Sequence, residues 1–302
     1  MRARAALALA AGLLLAGCGG DDERAKLPTR PGGVSVVAVG DIAVCGAEND
    51  EATAELVTAE PEATLLALGD IAYSMGLKAE FESCYAPSWG KFKDRTRPVP
   101  GNHEYLYFNR DASAYFDYFG AAAGRWGIGY YSFDLGSWHL IALNSNCEAA
   151  MLGGCGEGSA QLRWLREDLR RNHKACTLAY WHNPRFSAGI LHGSDTSVAP
   201  FWQALYEAGG DIVLSGHEHN YQRFEPQSPS GDADGERGIR QFVVGTGGGE
   251  LVRLGEELPT TEVQDAETFG VLHLTLFEGG YDWKFEPAAD GEFTDRGSGR
   301  CH

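Results

Sequence analysis

Short apolar runs recur along the first two-thirds of the chain, and each gives way to a polar loop. Val34-Ser-Val-Val-Ala-Val39 ends in Gly40-Asp41, and Thr64-Leu-Leu-Ala-Leu68 ends in Gly69-Asp70. Arg97-Pro-Val-Pro-Gly101 leads into Asn102-His103-Glu104, and Cys176-Thr-Leu-Ala-Tyr-Trp181 leads into His182. Asp211-Ile-Val-Leu-Ser215 leads into Gly216-His217-Glu218-His219. Runs of this kind lack polar alternation and predict central strands covered on both faces. Between the first two, Asp50 to Glu60 has helical composition and stops at Pro61, so strand, helix and strand follow the βαβ rhythm of a parallel sheet. Polar groups at the ends of such strands open into a crevice.

From Gly129 the pattern changes. Tyr130 to Leu135 and Trp138 to Leu143 flank Gly136-Ser137 and predict a hairpin with a two-residue turn. Ser159 caps a predicted helix running to Arg171, with Leu162, Leu165 and Leu169 at helical spacing. A second helix is expected over Val198 to Glu207, and late strands over Gln241 to Gly245, Val271 to Phe277 and Tyr281 to Glu286. Phe81 to Phe92 and Ala112 to Phe119 look helical and aromatic-rich. The polar loops Glu225 to Arg240 and Glu250 to Glu267 are either lids over a site or decoration. No repeat is evident, and the expectation is one α/β domain over 34–302, built as two packed sheets with helices outside.

The N-terminus adds a compartment. Arg2 and Arg4 precede an apolar run, Ala5 to Ala16, too short to span a bilayer, the pattern of an export signal. Leu15-Ala16-Gly17-Cys18 resembles the lipobox of bacterial lipoproteins, implying a signal peptide at 1–17 and lipid on Cys18. The polar stretch 18–33 then reads as a flexible tether, and the protein is expected outside the cytoplasm, anchored to a membrane. With Cys18 set aside, Cys45, Cys84, Cys147, Cys155, Cys176 and Cys301 form an even set in an exported chain, which favours disulfides over thiolate metal ligands. Sequence does not choose among the fifteen pairings that six cysteines allow. The expectation carried forward pairs Cys147 with Cys155, Cys45 with Cys84 and Cys176 with Cys301.

Composition narrows the partners. A hydrophobic fraction of 43% supports a sizeable core, and 40 glycines imply many loops. The formal net charge of -17 argues against nucleic acid as a partner. It leaves small anionic substrates open, because bound cations reverse the local field.

One strand-end aspartate is usually a turn or cap residue, and one tyrosine a packed aromatic. Here several such groups occur in a fixed order: Gly-Asp at Asp41, Gly-Asp-x-x-Tyr at Asp70 and Tyr73, Gly-Asn-His-Glu at Asn102, a strand-end His182, and Gly-His-x-His at His217 and His219. This order resembles the calcineurin-like metallophosphoesterases, and Tyr73 narrows the resemblance to the purple acid phosphatase branch. It runs from about Val34 to Tyr221, and Gln161-Leu-Arg-Trp-Leu165 is similar to that branch as well.

The resemblance implies a four-layer αββα sandwich and two metal ions bridged by Asp70 through its two oxygens. Asp41, Tyr73 and His219 would complete one shell, and Asn102, His182 and His217 the other. A phenol binds as phenolate only to a strong, hard Lewis acid, which favours Fe(III) beside Tyr73, while the second shell suits Fe(II), Zn or Mn. Such a pair activates a hydroxide for in-line attack on phosphorus. His103 would contact the phosphate and protonate the leaving oxygen, His192 would be the second substrate-side histidine, and Asp195 would orient or tune His192. Glu104 and Glu218 are expected behind the ligands or facing solvent. His139, His173, His273 and His302 are read as ordinary, and Trp181, Trp202 and Tyr221 as core or pocket wall. The expected activity is hydrolysis of small phosphate monoesters. A phosphodiesterase or nucleotidase on the same site is the first alternative, and a lipoprotein that binds phosphate or metal without turnover is the second.

Overall fold

The computed structural model describes residue 27 and residues 30–106, 110–289 and 291–302; the export signal, Cys18 and most of the tether expected at 18–33 lie outside the described residues. The first strands are β1 (Val34–Val39), β2 (Ala43–Val44), β3 (Thr64–Leu68), β4 (Ala72–Tyr73) and β5 (Thr96–Val99). A hairpin follows, β6 (Tyr131–Leu135) and β7 (Trp138–Ala142), then β8 (Cys176–Tyr180), β9 (Ile212–Ser215), β10 (Tyr221–Phe224) and β11 (Arg240–Val244). The chain closes with β12 (Thr261–Asp265), β13 (Gly270–Phe277), β14 (Gly280–Pro287) and β15 (Asp295–Arg300).

Two mixed sheets result. One has the order β15-β14-β13-β1-β3-β5 and the other β12-β10-β11-β9-β8-β7-β6. β1, β3 and β5 are mutually parallel, as are β7, β8, β9 and β11. The helix Asn49–Thr58 joins β1 to β3, as the βαβ rhythm predicts. Ser159 caps the helix Ala160–Arg171 through its hydroxyl, which accepts the Leu162 N–H at 3.2 Å.

Burial on both faces explains the unbroken apolar runs. Leu140, Ala142, Leu178 and Tyr180 pack with Val36, Leu66 and Leu272 in the core between the sheets. Their neighbours Ile141, Ala179 and Trp181 point the other way, onto Leu162, Leu165, Phe201 and Trp202 of the two outer helices. Tyr221 joins the first core and Trp202 the second, so neither lines the crevice.

The expected helix over Phe81 to Phe92 is instead two short pieces, Phe81–Tyr85 and Trp89–Arg95. Pro87 lies between them and lacks the N–H that a continuous helix would use, and the backbone leaves helical geometry just after it, at Ser88, with φ -100° and ψ -94°. β12 lies inside the stretch expected to be a loop, and β10 and β15 join the expected strands.

All three expected disulfides form: Cys45–Cys84, Cys147–Cys155 and Cys176–Cys301. The last ties β8 to the C-terminus across a sequence separation of 125. Replacing Cys176 and Cys301 together by Ser is expected to lower stability by about 3–5 kcal/mol through the longer unfolded loop. Urea denaturation checks this, and an unchanged midpoint would show the link to be idle.

Candidate metal centre

The parallel strands deliver their polar loops to one edge. Asp41 and Asp70 stand two residues past β1 and β3, and Asn102 three past β5; His182 stands two past β8, and His217 and His219 two and four past β9. Backbone bonds knit these loops together: Asp41 N–H donates to Gly69 O at 3.0 Å, and Gly216 N–H to His182 O at 3.0 Å. Asp41, Asp70 and His217 all have left-handed backbone, with φ of 60°, 48° and 70°. Strain of this kind in non-glycine residues persists only where surrounding contacts impose it, and it gathers at functional sites. Gly101 makes the close approach possible, since a Cβ there would lie 2.1 Å from Asp70 Oδ1.

Seven side chains named from sequence converge as two adjoining foci. At the first, the Tyr73 hydroxyl lies 2.8 Å from Asp41 Oδ1, 3.1 Å from Asp70 Oδ2 and 2.9 Å from His219 Nε2. A phenol has one proton to give and here faces three acceptors. At the second, His182 Nε2 lies 3.0 Å from Asn102 Oδ1, 3.1 Å from His217 Nδ1 and 3.3 Å from Asp70 Oδ2. The opposite nitrogen, Nδ1, donates to Leu68 O at 2.8 Å, so once the ring gives up its other proton, Nε2 aims a lone pair at other electron-rich atoms. Each focus therefore has more lone pairs than protons, which suits a cation, and the oxygen and imidazole donors are those of a first-row metal.

Asp70 Oδ2 belongs to both foci, whereas Oδ1 accepts the His103 backbone N–H at 2.8 Å. Of the two Asp70 oxygens expected to bridge, Oδ2 faces both foci, and Oδ1 also carries a backbone N–H.

The electrostatics point the same way. Burial alone would raise the Asp70 carboxyl, but the His182 imidazole beside it, with His103 and His217, holds it well below the usual range. Burial works against a proton on His182 and His219, yet Asp70 and Asp41 respectively lift both to about 9. His217, buried against His182 and His192, is pushed down to about 2. Burial, then Asp41 and Asp70, push the Tyr73 phenol far up.

The flanking residues divide by placement. His103 sets its ring edge-on to Tyr73 at 4.6 Å, donates Nδ1–H to Ser74 O at 2.6 Å, and places Nε2 3.8 Å from Asp70 Oδ2. The His192 ring stacks on His217, centroids 3.9 Å apart. Asp195 accepts the Ser197 N–H at 2.7 Å, capping a turn, and the carboxylate beside His192 is that of Glu218. Of the two placements expected for Glu104 and Glu218, solvent exposure is ruled out, since both are fully buried. The Glu104 carboxylate accepts N–H groups of Gly101 at 2.7 Å, Ile71 at 2.9 Å and Asp70 at 3.0 Å, and so holds the loops carrying Asp70 and Asn102. Burial, then Asp70, raise it to about 7. Its place three residues after Gly101 was the only sequence signal of this role.

Two packed mixed sheets carry these paired donor foci at their strand ends. The chain belongs to the calcineurin-like phosphoesterase family, whose pattern matches residues 34–221. It is 30% identical over 151 residues to purple acid phosphatase 15 of Arabidopsis thaliana, covering 45% of this chain and 27% of that protein. It is 28% identical over 144 residues to human acid phosphatase type 7, covering 42% and 32%. The matched stretch thus spans no more than about a third of these relatives. Purple acid phosphatase PPD1 from yellow lupin seeds shares the fold at a TM-score of 0.71 and 17% identity, over 90% of this chain and 54% of that one.

Proposed function

We propose that the chain is a hydrolase of phosphate monoesters working with two metal ions. The observation that carries this is the pair of donor foci sharing Asp70 Oδ2. Asp41, Asp70, Tyr73 and His219 would hold one ion, and Asp70, Asn102, His182 and His217 the other. When bound, the ions lower the pKa of an attacking water and neutralise charge on the phosphoryl group. Because burial and two carboxylates hold the Tyr73 proton so firmly, its focus calls for a strong Lewis acid, Fe(III), with Fe(II), Zn or Mn at the other.

The protein's own groups do the rest. Ser74 O fixes the His103 tautomer, so Nε2 faces the crevice and can carry a proton to the leaving oxygen. His192, stacked on His217, presents its ring on the substrate side, and Asp195 lies on the turn that follows. His103→Ala is expected to lower kcat for an alkyl phosphate by about 10²- to 10⁴-fold. For 4-nitrophenyl phosphate, whose leaving group needs little protonation, the loss is expected to be smaller. An unchanged kcat for the alkyl ester would contradict the acid role, and faster turnover of bis(4-nitrophenyl) phosphate than of the monoester would move the assignment to a phosphodiesterase.

Export and anchoring through Cys18 belong to the same reading, with 34–302 as one catalytic domain behind a tether. The three disulfides support a compartment outside the cytoplasm.

A further inference from the structure

We propose that Glu218 is a positioning residue that sets the substrate-side imidazole of His192 by holding the loop that carries it, a proposal that rests on the role given to His192 above. Glu218 falls between His217 and His219 in the bend that follows β9, and its carboxylate lies under the segment 188–193, against Gly189, His192 and Gly193. Its carboxylate is fully buried. Oε1 accepts the N–H groups of two successive residues, His192 at 3.0 Å and Gly193. Such bonds to a carboxylate are charge-assisted and directional, so they fix the backbone from which the His192 ring projects.

The loop is shaped around this carboxylate. Gly189 lies so close that a Cβ there would sit 2.0 Å from Glu218 Oε2, and Gly193 adopts a φ of +71°. The other ties gather at the base of the loop: Ala188 N–H to Gln222 Oε1 at 2.8 Å, Gly189 N–H to Ser187 Oγ at 2.9 Å, Ser187 N–H to Ser194 Oγ at 2.9 Å, and Gly255 N–H to Ala188 O at 2.7 Å beside a bridge between Gly189 and Leu254. Between them the tip is open to solvent, with Ile190 and Leu191 each 57% exposed. His192 itself meets the ring of His217 in a stack and the Glu218 carboxylate, whose Oε1 is also 4.0 Å from His192 Nδ1.

Four variants of the metal-loaded protein test this: Glu218→Ala, Glu218→Gln, Gly189→Ala and His192→Ala. The readouts are metal content, kcat and KM for a phosphate monoester, and the inhibition constant of inorganic phosphate. Glu218→Ala is expected to keep two metals per chain and to raise KM and the phosphate inhibition constant about tenfold, the size of effect when one charge-assisted anchor is lost. Glu218→Gln keeps an acceptor oxygen and should recover most of the loss, whereas Gly189→Ala should reproduce it with Glu218 intact. In the His192→Ala background Glu218→Ala should add little, because residues acting through one group are not additive. Full additivity with His192→Ala, or loss of metal in Glu218→Ala, would overturn the positioning role and leave the proposed function standing. Wild-type kinetics in His192→Ala would remove the role of His192 and this proposal together.

Discussion

Asp70→Asn is expected to reduce phosphomonoester turnover by about 10³-fold or more, with metal content falling below two per chain. The size follows from preorganised charge at the reacting centre, where removing a single donor already costs about 10²- to 10³-fold. Asp70 Oδ2 is the one atom common to both donor foci. Asn keeps the shape and an oxygen for the His103 N–H, and it tolerates the left-handed backbone better than most residues. The fold should therefore survive while the negative charge between the foci is lost. Elemental analysis with steady-state kinetics checks this; two bound metals and kcat within tenfold of the parent would show that Asp70 is not the bridge.

A loss of stability as large as that expected for the Cys176–Cys301 link is expected from Glu104→Ala. The Glu104 carboxylate is buried and satisfies the N–H groups of Gly101, Asp70 and Ile71. A buried donor left unpaired costs about 1–3 kcal/mol, and several orphaned at once should total about 3–5 kcal/mol. That corresponds to a fall in Tm on the order of 10 °C for a chain of this size. Because these N–H groups belong to the loops bearing Asp70 and Asn102, metal affinity should drop as well. Thermal unfolding with and without added metal reads both effects, and a Tm within about 2 °C of the parent would show that water satisfies these groups without Glu104.

What was legible in the sequence was whatever had a local cause. Unbroken apolar runs marked strands buried on both faces, and the residues just beyond them became the converging side chains. Ser159 announced a helix start, and Gly136-Ser137 a hairpin turn. What stayed hidden depended on partners distant in sequence. β15, Asp-Arg-Gly-Ser-Gly-Arg, has no apolar residue to betray it. It exists because β14 offers a full ladder, with Gly297 and Gly299 opposite Trp283 and Tyr281, whose rings occupy the space a Cβ would need. β12 is a polar edge strand for the same reason, since one side of it meets solvent and little of it is buried. The sequence does not choose, for Glu104 and Glu218, between a place behind the ligands and one facing solvent, because most of the N–H groups they hold belong to other loops. Which Asp70 oxygen faces both foci was equally invisible, as it depends on where the His103 N–H points.

The central claim is a two-metal centre with Tyr73 as one ligand, and it is tested most directly by elemental analysis together with a visible spectrum of the purified protein. The account predicts two metals per chain, one of them iron, and a phenolate charge-transfer band that disappears in Tyr73→Phe while the fold remains. Zinc or manganese alone, without colour, would contradict the iron assignment at Tyr73. No stoichiometric metal after reconstitution would contradict the dimetal centre itself.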